Sequence, residues 1–207
     1  MASRPLVAKV PGLLLAGAIL TALPVLWFFA IPILDRSEAP EHARHGVTLY
    51  LHVIGGLSVI VAGGGALYIG WTRRAFKRHR WFGYSYLGLG SIMAVSALLL
   101  SLEAPHEPRS LYVATGTLAA AWLAVAGMAL RAARNRRFLV HRDWMIRSYV
   151  LTWTFVGCRI ATNLNLFPDL GPEGVTAAIW VNWIVPFIVC EIALQWKAAG
   201  RAGPGRV

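Results

Sequence analysis

Imidazole and guanidinium groups set into apolar sequence bind metals, protons or anions, and this chain carries both at a repeated spacing. His79-Arg80 opens one apolar run and His141-Arg142 opens another, each at the end of a basic stretch. The two pairs stand 62 positions apart, and at that offset Leu49-Tyr50 matches Leu111-Tyr112, Arg74 matches Arg136 and Phe76 matches Phe138. Two helix starts side by side would present free N–H groups that favour an anion, and Arg80 and Arg142 would add charge-assisted donors. The same imidazoles, neutral and on facing helices, would equally suit the iron of a b-type haem.

Four more residues lie inside apolar runs, where a charged or titratable side chain is costly and marks a site facing other helices. They are His52, Arg147, Arg159 and Glu191. His52 shares a helical face with Gly56, Val59 and Gly63, and glycines on such a face let another helix approach closely. Ser148, Thr152, Phe155, Arg159 and Asn163 form a second stripe at i, i+4, i+7 spacing. At ~1.5 Å per residue, His52 and Arg159 both lie on the order of 10 Å below one surface. They are expected to share a buried polar site with Asn163. Arg147 and Glu191 lie together towards the other surface and are expected to form a structural ion pair.

The elements that must hold these residues are membrane helices. The chain is 57% hydrophobic and 14% charged over 207 residues, with a mean hydropathy of +0.57; a soluble domain carries about 25% charged residues. A bilayer span needs about 20 apolar residues. Six runs meet that, at 12–34, 47–71, 81–102, 111–130, 144–167 and 175–196, with connections too short for a separate soluble domain. Backbone groups cannot be left open in lipid, so these runs must be helices. The expected fold is an all-α integral membrane protein of six spans in one domain over 1–207, read as two duplicated helical hairpins with flanking helices. Pro24 and Pro186 should kink the first and last spans. The first run is too long for a signal-peptide core and reads as a retained span. Cys158 and Cys190 fall inside spans and read as packing residues.

Charge sets the orientation. The N-terminus, the 72–80 and 131–143 loops and the tail hold 15 Lys and Arg, against three in the alternate loops (Arg36, Arg44 and Arg109). The positive-inside rule then puts both termini and both basic loops in the cytoplasm of a bacterial inner membrane. Trp71, Trp81, Trp144 and Trp196 fall at that same boundary, where an aromatic belt belongs. The net charge of +11 is thus spent on topology, and nucleic acid is not an expected partner. His42, His45 and His106, in the alternate loops, read as solvated.

The strings His79-Arg80-x-x-Gly83-Tyr84-x-Tyr86 and His141-Arg142-x-Trp144-Met145-Ile146-Arg147-Ser148-Tyr149 resemble a bacterial family of predicted membrane proteins, domain of unknown function 2306. Leu51-His52 early, Arg159 deep in the span after the Trp-Met-Ile-Arg-Ser-Tyr run, and the late Trp183 and Glu191 are similar to that family's pattern. The resemblance covers roughly residues 47–196. It implies a multi-spanning helical fold and brings no activity with it.

Three functions remain open from the residues. One is binding of an anionic lipid or small anionic ligand, with His52, Arg159, Asn163, His79, Arg80, His141 and Arg142 as candidates. Another is a haem b or quinone-linked redox protein, with His52, His79 and His141 as the haem-ligand candidates. The third is a structural or assembly subunit of a membrane complex. Enzyme motifs built on a nucleophile, a zinc helix or a phosphate loop are absent from the sequence.

Overall fold

The computed structural model describes residues 46–73, 75–102 and 109–202. The expected first span at 12–34, and His42, His45 and His106, lie outside the described residues. Helices α1 (Gly46–Thr72), α2 (His79–Leu102), α3 (Arg109–Arg134), α4 (Phe138–Thr152), α5 (Thr154–Asn163) and α6 (Glu173–Ala202) follow in order. Single 3-10 turns at Phe76–Arg78 and Pro168–Leu170 complete the regular structure, and no strand occurs among the described residues. Among the described residues, four segments are long and apolar enough to cross a bilayer: Ile54–Thr72, Phe76–Leu100, Arg109–Arg134 and Glu173–Gly200.

The expected fifth span, 144–167, is not one helix. It begins earlier, at Phe138, and breaks at Trp153 into α4 and α5, of 15 and 10 residues. The cause is local. Ser148 Oγ bonds back to the Met145 carbonyl and Thr152 Oγ1 to the Ser148 carbonyl, both at 3.0 Å. Such back-bonding competes with the helical ladder and bends it. The Trp153 N–H then divides between the carbonyls of Tyr149 (3.3 Å) and Val150 (3.1 Å).

The break faces Pro186, which sits inside the continuous α6. A proline has no N–H for the carbonyl four residues back, here that of Asn182. The Thr154 hydroxyl, first residue after the break, donates to that carbonyl at 3.4 Å. Gly157 leaves room for the Asn182 side chain, whose amide a Cβ there would overlap.

α1, α2, α3 and α4 close a ring in which each packs on its two neighbours, while α6 lies against α3, α4 and α5. Tyr86, fully buried, sits at the centre among Val59, Ala62, Met93, Trp122, Val125, Ala126, Ala129, Met145 and Leu151. Glycines set the close approaches, as small residues do between membrane helices. A Cβ at Gly63 would meet Tyr86 and Tyr149, and one at Gly90 would overlap the Trp122 indole. The outer faces are apolar: Val181, Val185, Ile188, Val189 and Ile192 of α6 are all exposed.

Candidate functional site

The turns at the basic end of the bundle position its histidines. α3 stops in a Schellman arrangement: the Arg137 N–H bonds the Ala132 carbonyl (2.9 Å) and the Arg136 N–H the Ala133 carbonyl (3.0 Å), with Arg136 at φ 57°. Glycine usually takes that left-handed position. The turn is so short that α4 begins at Phe138, and His141 lies one helical turn inside it. This corrects the expectation that His141 opens its helix, since its N–H is already bonded to the Arg137 carbonyl at 2.8 Å. His79 is the first residue of α2, but its N–H is likewise taken, by the Phe76 carbonyl of the preceding 3-10 turn, so neither start offers the free N–H groups expected of it.

Each imidazole reaches back to the helix before its own. His79 Nδ1 bonds the Ala66 carbonyl on α1 at 3.1 Å, and His141 Nδ1 bonds the Ala129 carbonyl on α3 at 2.8 Å. A carbonyl can only accept, so Nδ1 carries the proton in both rings and Nε2 is left for other chemistry. The two rings stand edge to face with centroids 6.1 Å apart, and His79 also stacks on Phe76 at 5.2 Å. Arg80 is exposed beside them. Arg142 is occupied: its Nε and Nη2 hold Asp143 Oδ1 at 2.9 and 2.6 Å.

About two turns deeper along α4, Arg147 grips Glu191 of α6 through two bonds, Nε to Oε2 at 2.7 Å and Nη2 to Oε1 at 3.0 Å. Gln195 donates to the same carboxylate at 2.8 Å, and the guanidinium lies 4.8 Å over the Trp144 ring. Bidentate geometry of this kind is the strong form of an ion pair.

At the opposite end, His52 Nδ1 lies 3.0 Å from Ser96 Oγ of α2. Its ring meets the Phe155 ring edge-on at 5.8 Å, and Gly56 gives that phenyl room, since a Cβ there would lie 3.3 Å from it. Arg159 follows Phe155 by one turn of α5. His52 thus meets α5 through Phe155, one turn before Arg159. The Asn163 side chain lies outside the described residues.

Between the two ends is a polar cluster that spacing alone did not single out. The Tyr86 hydroxyl donates to Ser148 Oγ at 3.2 Å and lies 2.8 Å from Thr152 Oγ1, to which the Trp122 indole also donates at 3.0 Å. Tyr149 reaches the Ile60 carbonyl at 3.3 Å. Ser148 and Thr152 were legible as a stripe on one face, but their partners come from α2 and α3. One signal was available: Tyr86 and Ser148 stand 62 positions apart, the spacing of His79 and His141.

Among the described residues no group of three or more metal-ligating side chains converges. A family model described as a predicted membrane protein, DUF2306, matches residues 49–194. No curated protein and no solved structure matches the chain.

Proposed function

Given that the chain belongs to the DUF2306 family of predicted membrane proteins, we propose that it binds an anionic group at the His79–His141 pair, on the cytoplasmic side of a bacterial inner membrane. The observation that carries this reading is the meeting of two Nδ1-anchored imidazoles at the end of the bundle that holds the basic loops. With Nδ1 fixed, an approaching anion favours protonation at Nε2 and turns each ring into a charge-assisted donor. Arg80 adds a guanidinium beside His79. Arg142 is held by Asp143 and is a reserve donor in this reading. The anion is a lipid headgroup or a small phosphate-bearing molecule.

In the same reading the chain crosses six times, with 12–34 as the first span and α4 with α5 as a broken fifth. Both termini are cytoplasmic. The hairpins α1–α2 and α3–α4 are copies related by an axis between α2 and α4. Two pairs of equivalent residues in contact, His79 with His141 and Tyr86 with Ser148, support the copy relation. So do the matching bonds of each histidine to the preceding helix.

The test uses purified protein and two probes, inorganic phosphate and vesicles with or without phosphatidylglycerol. Trp81 and Trp144 fluorescence should respond to one of them, and His79→Gln with His141→Gln should weaken that response at least tenfold. A response to phosphate alone identifies a soluble ligand, and one confined to anionic vesicles identifies a headgroup. An unchanged response in the double variant sinks the proposal.

A second reading draws on the same anchoring, because an Nδ1–H bond to a carbonyl is how metal-binding imidazoles are oriented. His79 and His141 would then hold haem b, which would supply one-electron chemistry in a redox protein that exchanges electrons with quinone. A Soret band that shifts on reduction and disappears in the double variant would select it. A colourless, stoichiometrically haem-free preparation favours the anion site. An assembly role is the third reading, and partner subunits retained in native mass spectrometry would favour it.

A further inference from the structure

A groove of about 460 Å³ runs along the outer side of the bundle, between Leu57, Ser58 and Val61 of α1 and Trp81, Phe82 and Ser85 of α2. Its lining is apolar but for the two serines, and Ser58 Oγ already donates to the Ile54 carbonyl at 2.8 Å. Phe82 is held against α1 by Gly65, whose missing Cβ its ring replaces.

The charge of this hairpin lies at the mouth of the groove. The 3-10 turn Phe76–Arg78 leads into α2 without a break, so Arg78, Trp81, Phe82 and Ser85 stand at i, i+3, i+4 and i+7 of one helical path. That spacing puts them on one face. Arg78 is one turn nearer the basic end than Trp81 and Phe82, and two turns nearer than Ser85. Lys77 and Arg78 are exposed, and Trp81 is 78% exposed. The segment 46–102 contains no Asp or Glu, so these cations meet no carboxylate from their own hairpin.

The second hairpin inverts this layout. At the 62-residue spacing, Arg78 corresponds to Val140 and Ser85 to Arg147. On α4 the charge thus lies deep, where Arg147 holds Glu191 of α6, and Val140 makes the mouth apolar. That face is covered by a helix that brings a carboxylate. On α2 the deep position has only a hydroxyl and the charge stands at the interface. A helix of the same kind would find no partner there, whereas an amphiphile with an anionic head and an apolar chain matches both levels.

We infer that this groove holds one acyl chain of an anionic phospholipid whose phosphate lies against Arg78 and Lys77. Guanidinium and phosphate form charge-assisted bonds, and basic residues beside a span attract anionic lipid. Trp81 stands at the headgroup level, where interfacial indoles belong. The outer face of α6 is as apolar, but its cation at that level, Lys197, lies over the Trp71 ring at 5.8 Å. The site is separate from the histidine pair, since His79 is turned to the Ala66 carbonyl and the His141 ring.

The test is photolabelling of the full chain in vesicles. Phosphatidylglycerol or phosphatidylcholine carries a photoreactive group in its acyl chain, and adducts are mapped by peptide mass spectrometry. Expected is that phosphatidylglycerol labels segments 57–62 and 81–85 at least fivefold more than phosphatidylcholine does, and more than it labels 181–192 of α6. Lys77→Gln with Arg78→Gln should bring that label down to the phosphatidylcholine level, and Ser85→Phe, which fills the hollow, should reduce both labels. His79→Gln with His141→Gln should leave the pattern unchanged, so failure of the anion site and failure of this one are read apart. Equal labelling by the two lipids would make the groove an ordinary lipid contact and overturn the inference. Protection of the groove from both lipids would overturn it by giving the groove to a protein helix. Loss of the label in the histidine variant, with retention in the Lys77 and Arg78 variant, would overturn it by giving the headgroup to the pair.

Discussion

The two ends of the bundle hold their histidines by different chemistry. At the basic end, His79 and His141 each bond a main-chain carbonyl of the preceding helix and touch each other. At the opposite end, His52 bonds a side-chain hydroxyl, Ser96, and leans on a phenyl ring, Phe155. A carbonyl only accepts, so it dictates which nitrogen keeps the proton; a hydroxyl can donate or accept and dictates less. The basic end is therefore a site of fixed tautomer, tied to the backbone and backed by the Arg147–Glu191 pair. The opposite end depends on side chains that a single substitution can release.

The largest expected effect breaks the support of the basic end. Glu191→Gln removes the counter-charge of Arg147, whose side chain is 12% exposed, whereas that of Glu191 is 36% exposed. Breaking a buried pair costs about 3–5 kcal/mol, and the exposure of Glu191 lowers the expectation to about 2–3 kcal/mol. Thermal unfolding in mild detergent measures it. Replacing both residues by Met should restore most of the loss, and equal losses in single and double variants would show that the pair does not couple.

Next comes the cluster between the ends. Thr152→Val leaves the Trp122 N–H without a partner and the Tyr86 hydroxyl with Ser148 alone, whereas Tyr86→Phe leaves Thr152 still bonded to Trp122. Unsatisfied buried groups cost about 1–3 kcal/mol each. Thr152→Val should therefore destabilise by about 2–3 kcal/mol and Tyr86→Phe by about 1 kcal/mol. The reverse order would mean that Ser148, not Thr152, anchors the cluster.

The histidine pair itself should show coupling. His79→Gln and His141→Gln each lose one hydrogen bond, about 1 kcal/mol, and residues in contact depart from additivity by about 0.5 kcal/mol or more. His52→Gln, at the other end, should add independently to either. Non-additivity between His52 and His79 would break the division of the molecule into two separate ends.

What the sequence disclosed follows the same physical line. Long-range charge and depth were readable: Arg147 with Glu191 came from matched depth, and His79 with His141 from a fixed offset between two basic turns. Hydropathy gave six spans, and among the described residues four helical segments are long and apolar enough to cross a bilayer. Breaks and partners were not readable, because the run 144–167 passes Trp153 with no proline to mark a break. The break there depends on Ser148 and Thr152 turning their hydroxyls onto their own helix, and on Thr154 finding the carbonyl freed by Pro186. The Tyr86 cluster was hidden for a similar reason, since a stripe names one face and only packing names what meets it. Arg142 could have been discounted earlier, as Asp143 is its neighbour in sequence.

The smallest effect tests the comparison most directly. Ser96 Oγ donates to the Met93 carbonyl at 3.0 Å, so towards His52 it acts as the acceptor and Nδ1 carries the proton there too. That assignment rests on one hydroxyl rather than on main chain. Ser96→Ala removes the acceptor while leaving Phe155 and Gly56 in place, at a cost of about 1 kcal/mol. The imidazole 15N shifts of His52 should then move towards a mixture of tautomers, while those of His79 and His141 stay at the Nδ1–H form. If His52 keeps its tautomer without Ser96, something else at that end fixes it, and the contrast between a backbone-held and a side-chain-held histidine fails. If instead the basic-end shifts move as well, the two ends communicate through α2, which carries both Ser96 and His79.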